Sequence, residues 1–356
     1  MLAMADKNHL QMLERGVTFW NDWRAKSPDM VPDLSGADLS HQKLAAANLS
    51  TTNLEYAHLG YANLCSANFS RSNLCHANLD HAMLSQAKLL DADLSYASLK
   101  NAWLNDCNLV AANLFRAKLN HANLINTRLS GAILIGTHLQ GANLTGCSVQ
   151  STFAWGVKLK GANQTNLVVN HPEQPRVLVD QLEIAQLVHL RLYKQNENRR
   201  FDAIPPRIVF VLGQYSKARS NYLLELQELI RSRGYVPLRV ECNLENAPDF
   251  AMLATLIELS SLFVIDLTEP CSAITALQNC ELPDNKPIHM LIQAGHGPGG
   301  AARLAQCFPQ KFHAPLLYQN SMELRLQFDT EILPLPDEAD DIEKEQTSEF
   351  EPALPV

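Results

Sequence analysis

Small polar residues and glycines follow three apolar runs in the C-terminal half of the sequence, where they could hold the phosphates of a nucleotide. The runs are RIVFVLG, LFVIDLT and PIHMLIQ, and the last leads into the glycine-rich segment AGHGPGGAAR. Backbone N–H groups in such a segment can bind an anion, and a flexible turn is the alternative interpretation. No GxGxxG follows the first run and no GK[ST] occurs, so neither nucleotide fingerprint is met. The candidate nucleotide-binding residues are Gly213, Ser216, Asp266, Thr268, His296 and Gly299.

Thiols and imidazoles offer a second chemistry, that of a nucleophile and its base. Nothing in their spacing links them, so buried structural thiols are the default interpretation. The eight cysteines contain no CxxC pair, which argues against a disulfide framework and for a reducing compartment. The sequence therefore assigns no catalytic residue, no metal site and no cofactor. The groups considered are Cys242, Cys271, Cys280, Cys307, His289, His296 and His313.

Five apolar runs must position these residues. RIVFVLG, VPLRVEC, LFVIDLT, PIHMLIQ and APLLYQ read as buried strands, and two amphipathic segments between them read as helices, the first ending at Gly234. Strands that alternate with helices predict a doubly wound parallel sheet. Ligands of such sheets bind beyond the carboxyl ends of the strands, where the candidate residues lie.

The N-terminal half of the sequence repeats every five residues. From Pro32 to Asn166, 135 residues form 27 pentapeptides, with Leu or a substitute at the centre and a small residue two places before it. This period fits neither a helix nor a strand. A chain that turns a corner every five residues would bury the central Leu and the small residue, and stacked coils would complete the core.

This half resembles the pentapeptide-repeat family, whose A(D/N)Lxx signature appears as GADLS, AANLS, YANLC and DADLS. The resemblance implies a right-handed, four-sided β-solenoid with four pentapeptides per coil, or about seven coils and ~32 Å at the usual strand spacing. Exposed coil edges need caps. Residues 1–31 are expected to form a capping helix with Leu10, Leu13, Val17 and Trp20 on one face.

Residues twenty apart should stack in columns on the solenoid surface. Two neighbouring columns are rich in tyrosine and histidine, which combine apolar area with a polar tip and suit a protein-binding surface. The alternative is that corner positions accept any polar residue. A metal site is not expected, because His41, His81 and His121 lie two coils apart. The first column is Tyr56, His76, Tyr96 and Arg116, and the second is His41, Tyr61, His81, Asn101 and His121.

An apolar patch is predicted near the C-terminal end of the solenoid. It should be an interface, with the chain's own C-terminal half as the favoured partner and a second copy of the chain, giving a homodimer, as the other. The patch consists of Phe115, Ile133, Ile135, Phe153 and Trp155.

The charges exclude several partners. The net charge of −8 equals that of the segment from Glu331 onward, so residues 334–356 are expected to form a disordered acidic tail. Residues 32–166 carry seven acids and nine bases, unlike the strongly acidic DNA mimics among the gyrase-protecting members of the family. No basic stripe predicts nucleic-acid binding, and no long apolar run predicts a membrane span.

Residues 167–200 are predicted to be a helical linker, including Val177 and Leu178. Residues 201–333 resemble the TIR-like domain that accompanies pentapeptide repeats in many bacterial proteins. TIR domains either recruit other TIR domains or cleave NAD with a Glu, and Ala276 stands at the matching position. We therefore expect a non-enzymatic protein-interaction scaffold in the bacterial cytoplasm. The alternatives are an NAD or nucleotide hydrolase or sensor, and a secreted effector that acts on host proteins.

Overall fold

The computed structural model describes residues 4–193, 207–214, 216, 219–241, 248–269, 277, 286–296 and 314–333. The chain divides into two compact units, Met1–Phe201 and Asp202–Val356. Gly299, Ala276, the acidic tail and Cys242, Cys271, Cys280, Cys307 and His313 lie outside the described residues. Within those ranges, no helix is both long enough and apolar enough to cross a bilayer.

The first unit is a β-solenoid with twenty residues per coil. Parallel bridges pair each residue with one twenty positions later, from Asp33 with Asn53 through to Ser148 with Val168. Four pentapeptides therefore make one coil, and the solenoid contains about seven coils. The central leucines and the small residues two places before them are buried throughout most of its length.

The Asp or Asn of the repeat is explained by its hydrogen bonds. The Oδ1 of Asn73 accepts the N–H of Cys75 at 3.0 Å, two residues on, which holds the turn. The Nδ2 of Asn73 donates to the Oδ1 of Asn53 at 3.2 Å, and the Nδ2 of Asn53 donates to the Oδ1 of Asp33 at 3.1 Å. The same side chain thus shapes its own coil and ties it to the previous one.

Hydroxyl and thiol groups replace alanine at some inward positions. The Oγ1 of Thr127 donates to the Leu104 carbonyl at 2.6 Å, and the Sγ atoms of Cys107 and Cys147 donate to main-chain carbonyls at 2.9 and 3.1 Å. Burial raises the pKa of each of these two thiols to about 12. Both cysteines are therefore neutral core groups at physiological pH.

Each corner of the solenoid requires a left-handed residue. The non-glycine corners from His41 to Asn126 have φ between 53° and 63°, a conformation that costs an L-residue about 1–2 kcal/mol. Glycine takes most of the later corners, including Gly131, Gly136 and Gly141. The early corners therefore keep side chains at a conformational cost that the late glycines avoid.

Two helices, rather than the single predicted one, precede the first coil. Helix α1 (Lys7–Glu14) ends before Gly16, and α2 (Val17–Lys26) follows it. The φ of 103° at Gly16 is incompatible with a continuous α-helix. The Nε1 of Trp20 donates to the Asn48 carbonyl at 2.8 Å, and the Arg24 guanidinium donates to the Met30 and Ser50 carbonyls at 2.6 and 2.9 Å. Helix α2 therefore lies against the early coils.

A short hairpin follows the last coil, where a helix was predicted. Strand β1 (Leu167–Val168) pairs antiparallel with β2 (Val177–Val179), so the helical prediction for Val177 and Leu178 is wrong. Between β2 and the helix that follows, the Oδ1 of Asp180 accepts the N–H of Asn166 at 2.9 Å. Helix α3 (Leu182–Tyr193) begins only after this bond.

The second unit contains a five-stranded parallel sheet in the order β4-β3-β5-β6-β7. The chain runs from β3 to β4 on one side and returns to β5 on the other, so β3 and β5 form the topological switch point. Helix α6 and the π-helical turn after it were not predicted. The elements are β3 (Ile208–Leu212), α4 (Ser220–Ser232), β4 (Val236–Val240), α5 (Phe250–Leu259), β5 (Leu262–Asp266), β6 (Ile288–Gln293), β7 (Leu316–Tyr318), α6 (Ser321–Gln327) and the turn Phe328–Ile332.

Candidate functional site

Tyrosine and histidine rings stack along the two columns of the early coils. In the first column the His76 ring lies 4.9 Å from that of Tyr56 and 5.0 Å from that of Tyr96, with interplanar angles of 5° and 8°. In the second column Tyr61 lies between His41 and His81, at 5.1 and 4.6 Å. The coil repeat thus places the rings nearly parallel.

The stacked rings remain open to solvent on their outer edges. Tyr56, Tyr61 and Tyr96 are 41%, 55% and 42% exposed. Because each ring stacks on at least one neighbour and stands on a left-handed corner, little conformational freedom remains to be lost on binding. The same columns continue along the chain through Arg116, Asn101 and His121, all exposed.

The first column continues into the predicted apolar patch. The Phe115 ring meets that of Tyr96 edge-on at 5.5 Å, and the Arg116 guanidinium lies 5.3 Å from the Phe115 ring centroid. Phe115, Ile133 and Ile135 are half-buried, whereas Phe153 and Trp155 are 62% and 83% exposed. The five patch residues therefore share one face, with the exposure at its late end.

Sequence reasoning missed a second exposed apolar pair. Met83 and Trp103 pair across neighbouring coils and are 42% and 55% exposed. They occupy the repeat position that elsewhere in this column holds Asn63 and Asn123. A large apolar residue at a consensus Asn or Asp position was the signal that could have revealed them. Because His81 precedes Met83 by two residues, this pair lies beside the second column.

A groove of about 450 Å³ lies between the last coil and helix α3. Predicted patch residues Ile135, Phe153 and Trp155 line one side, and Gln186, His189 and Leu190 of α3 line the other. Part of the patch therefore faces a helix of the same unit. The remaining lining residues are Val149, Ser151, Thr152 and Ala154.

The polar groups of the groove are engaged with one another. The Nδ1 of His189 lies 3.1 Å from the Val169 carbonyl, which can only accept, so Nδ1 carries the proton. The Nε2 of His189 then accepts the hydroxyl proton of Ser151 at 2.9 Å. The Nε2 of Gln186 donates to the Thr152 carbonyl at 3.1 Å. These bonds fix α3 to the last coil and leave an apolar groove.

The switch point of the sheet brings together several candidate nucleotide-binding residues. Gly213 follows β3, and a Cβ atom there would lie only 3.1 Å from the Asp266 Cβ at the end of β5. Asp266 and Thr268 are buried, and the Oδ1 of Asp266 accepts the Thr268 N–H at 3.0 Å. His296 is exposed on the loop after β6, and Ser216 lies after β3. Glycine at position 213 therefore permits the close approach of the two strand ends.

A buried arginine occupies this strand edge. Arg219 donates to the Asp266 carboxylate and to the Tyr318 hydroxyl, and its other terminal nitrogen donates to Gln293 Oε1 at 2.7 Å. Burial lowers the pKa of Arg219, but the charge of Asp266 and the bonds to it outweigh burial and raise the pKa. Burial, and then the Asp266 charge, raise the pKa of the Tyr318 hydroxyl. No pattern in the sequence predicts this network.

No group of three or more His, Cys, Asp or Glu side chains that could hold a metal ion occurs within the described ranges. The histidines of the second column alternate with Tyr61 and Asn101. Their neighbours along the column are therefore aromatic or amide groups.

Comparison with known proteins places the repeats. Residues 33–71, 72–109 and 112–150 match the family model of pentapeptide repeats, in eight copies. The chain therefore contains pentapeptide repeats, and these fold as the β-solenoid described above. No curated protein matches the sequence. The TIR-like resemblance of residues 201–333 stays a prediction.

Several solved structures of pentapeptide-repeat proteins are similar to part of this chain. HetL of Nostoc sp., a protein involved in heterocyst differentiation regulation, is 29% identical, covers 38% of this chain and 82% of its own, with a TM-score of 0.26. QnrB1, a plasmid-mediated fluoroquinolone resistance protein, is 21% identical, and the match covers 36% of this chain and 78% of QnrB1, with a TM-score of 0.24. A protein of the Arabidopsis thaliana thylakoid lumen is 29% identical over 31% and 70%, with a TM-score of 0.18.

Proposed function

We propose that the protein is a non-enzymatic scaffold whose solenoid binds a protein partner through the two Tyr/His columns. The observation that carries this is the stacking of exposed, nearly parallel rings on neighbouring corners of early coils. Tyrosine offers a large, rigid contact area with a hydroxyl at its tip, which is why it is enriched at binding surfaces. Met83 and Trp103 enlarge the apolar part of this surface.

The N-terminal helices and the second unit have supporting roles in this proposal. Helix α2 covers the first coil edge, since Trp20 and Arg24 bond to carbonyls of the early coils. The TIR-like unit recruits a further partner. The bacterial cytoplasm is the proposed location.

A nucleotide-binding function for the second unit is the other candidate. The strand order favours it, because ligands of doubly wound sheets bind at the switch point, here between Gly213 and Asp266. Binding there requires the Arg219–Asp266 pair to open or to turn outward. Thermal shift of the full chain with NAD, ADP-ribose and ATP tests it. A rise in midpoint with any one supports this candidate, and no rise with all three removes it.

The scaffold proposal is tested by replacing rings while keeping the fold. Tyr56→Ala/Tyr61→Ala/Tyr96→Ala should remain folded, because Ala46 and Ala111 already occupy equivalent corners at φ 59° and 58°. The matched control is Ser66→Ala/Gln86→Ala/Asp106→Ala, three exposed non-aromatic corners outside both columns. Partners are captured from lysate by the immobilised full chain and identified by mass spectrometry.

The expected result is a protein that the wild type and the control retain and the tyrosine variant loses. Retention by all three chains would contradict the proposal, and so would the absence of any specifically retained protein.

A further inference from the structure

We propose that the groove between the last coil and α3 binds an amphipathic organic anion, an acyl or aryl carboxylate whose apolar body lies against Trp155 and Phe153. The volume of about 450 Å³ falls in the range of small-molecule sites. This site shares Arg116 with the first column but uses none of the Tyr/His rings, and it does not depend on the proposed scaffold function.

The apolar body follows from the lining. Ile135, Val149 and Leu190 contribute aliphatic surface, and the rings of Phe153 and Trp155 are 62% and 83% exposed. The hydroxyl of Ser151 and the imidazole of His189 already bond to each other. Water in the groove therefore gains few hydrogen bonds, and an apolar group can displace it.

The anionic end follows from the charges around the groove. The sequence contains no Asp or Glu from Cys107 to Pro172, whereas the same stretch carries five Lys and Arg residues. The Arg116 side chain packs over Gly136, because a Cβ added at Gly136 would lie 3.2 Å from the Cγ of Arg116. Gly136 directly follows the lining residue Ile135. Glu183 of α3 lies outside the lining. The proposal therefore pairs the carboxylate with Arg116, whose side chain lies against Gly136, the residue after Ile135.

Glycines keep this edge open. Gly136 and Gly156 succeed Arg116 in the first column, and a Cβ at Gly156 would meet nothing within 4 Å. The column that carries rings in the early coils is therefore bare beside Trp155. A ligand can approach the indole ring from that side.

The test uses the full chain, with dodecanoate as the anion and dodecanol as its neutral counterpart. Each competes against the fluorescence of 8-anilinonaphthalene-1-sulfonate. We expect dodecanoate to compete, Trp155→Ala to weaken that competition about tenfold, and Arg116→Gln to weaken it about fivefold without affecting dodecanol. Trp103→Ala is the matched control, because Trp103 is also an exposed solenoid tryptophan, and it should change affinity less than about twofold.

Three results would overturn the proposal. One is no competition by dodecanoate below about 1 mM, the range of weak binding. Another is equal competition by dodecanoate and dodecanol in both the wild type and Arg116→Gln. The third is a wild-type dimer that Trp155→Ala converts to a monomer without any dodecanoate binding, which would assign the groove to a second copy of the chain.

Discussion

The coils up to residue 106 and the coils from residue 107 to 168 share one kind of core but differ in their surfaces. The early coils carry tyrosine and histidine at their corners, together with all seven acidic residues of the solenoid. The late coils carry glycine at most corners from Gly131 onward and have only basic charges. The central leucines from Leu34 to Leu144 are buried in both. A pentapeptide core therefore leaves its outward positions free to serve different partners in different coils.

The largest difference between the two regions should appear in alkali. Cys107 and Cys147 belong to the late coils, and burial raises their pKa from 9.0 to about 12. The pKa of each thiol is higher in the folded state than in the unfolded state. Each neutral thiol therefore contributes its full stabilisation of the fold below pH 9 and loses it as pH rises toward 12. Raising the pH from 8 to 10.5 should cost about 2 kcal/mol per thiol.

Urea unfolding of the full chain at the two pH values, followed by circular dichroism, measures this loss. Cys107→Ala/Cys147→Ala should abolish most of it. Cys65→Ala/Cys75→Ala removes two half-buried early thiols and should leave it unchanged. An equal pH dependence in all three chains would show that the late thiols are not its source.

The early end can be loosened without touching the late end. Arg24→Gln removes the donors to the Met30 and Ser50 carbonyls and should destabilise the early coils by about 2–3 kcal/mol. Hydrogen exchange should quicken in residues 32–51 and stay constant in the late coils. Arg15→Gln, which removes an exposed guanidinium over Phe19, is the control and should have little effect. Faster exchange throughout the solenoid would mean that its ends do not open independently.

The C-terminal end of the solenoid can likewise be destabilised without affecting the early coils, and the expected loss of stability is smaller. Gln186→Ala removes the bond from α3 to the Thr152 carbonyl and should cost about 1 kcal/mol. Exchange should quicken around residues 152–158 and in α3 only. Glu183→Ala, on the same helix and outside the groove, serves as the control. Unchanged exchange in Gln186→Ala would indicate that the hairpin and the Ser151–His189 bond hold the last coil without Gln186.

The smallest expected effect concerns the corners. Ala111→Gly should stabilise the solenoid by about 0.5–1 kcal/mol, because it relieves a φ of 58° at an exposed corner. Gly131→Ala, at the same corner one coil later and with no atom closer than 3.9 Å to the new Cβ, should destabilise by a similar amount. Both shifts can be read from thermal midpoints. Shifts of the same sign would refute the difference in corner strain.

The periodic features of the molecule were predictable from sequence, because a regular repeat makes distant contacts a matter of counting. The twenty-residue spacing predicts Tyr61 beside His81 and Ile133 beside Phe153. Ring stacking shows the first pairing and a parallel bridge shows the second. The strands of the second unit also followed from their apolar runs. In both cases a short stretch of sequence carries the pattern that predicts the element: a pentapeptide in the solenoid and an apolar run in each strand.

The features that escaped prediction depend on single long-range contacts. Arg219 meets Asp266 and Tyr318 across 47 and 99 residues, and no pattern links those positions. Val177 and Leu178 fit a helical spacing, but Leu178 pairs with β1 and Val177 accepts the N–H of Val169, so they form a strand. Gly16 separates the two N-terminal helices, and a glycine there could have predicted this. The apolar periodicity continues across Gly16, which favoured the prediction of a single helix.

Because one coil contains four pentapeptides, the position of a residue within the coil decides which side of the solenoid it faces. Inserting one pentapeptide between the early and late coils, for instance after residue 110, would keep every leucine buried but turn all later columns by a quarter of the circumference. Trp155 would then no longer share a face with Tyr96, although the length of the tube would barely change. Inserting four pentapeptides would restore the alignment and lengthen the tube by one strand spacing, about 4.8 Å. The angle and the distance between the two surfaces can therefore be set independently.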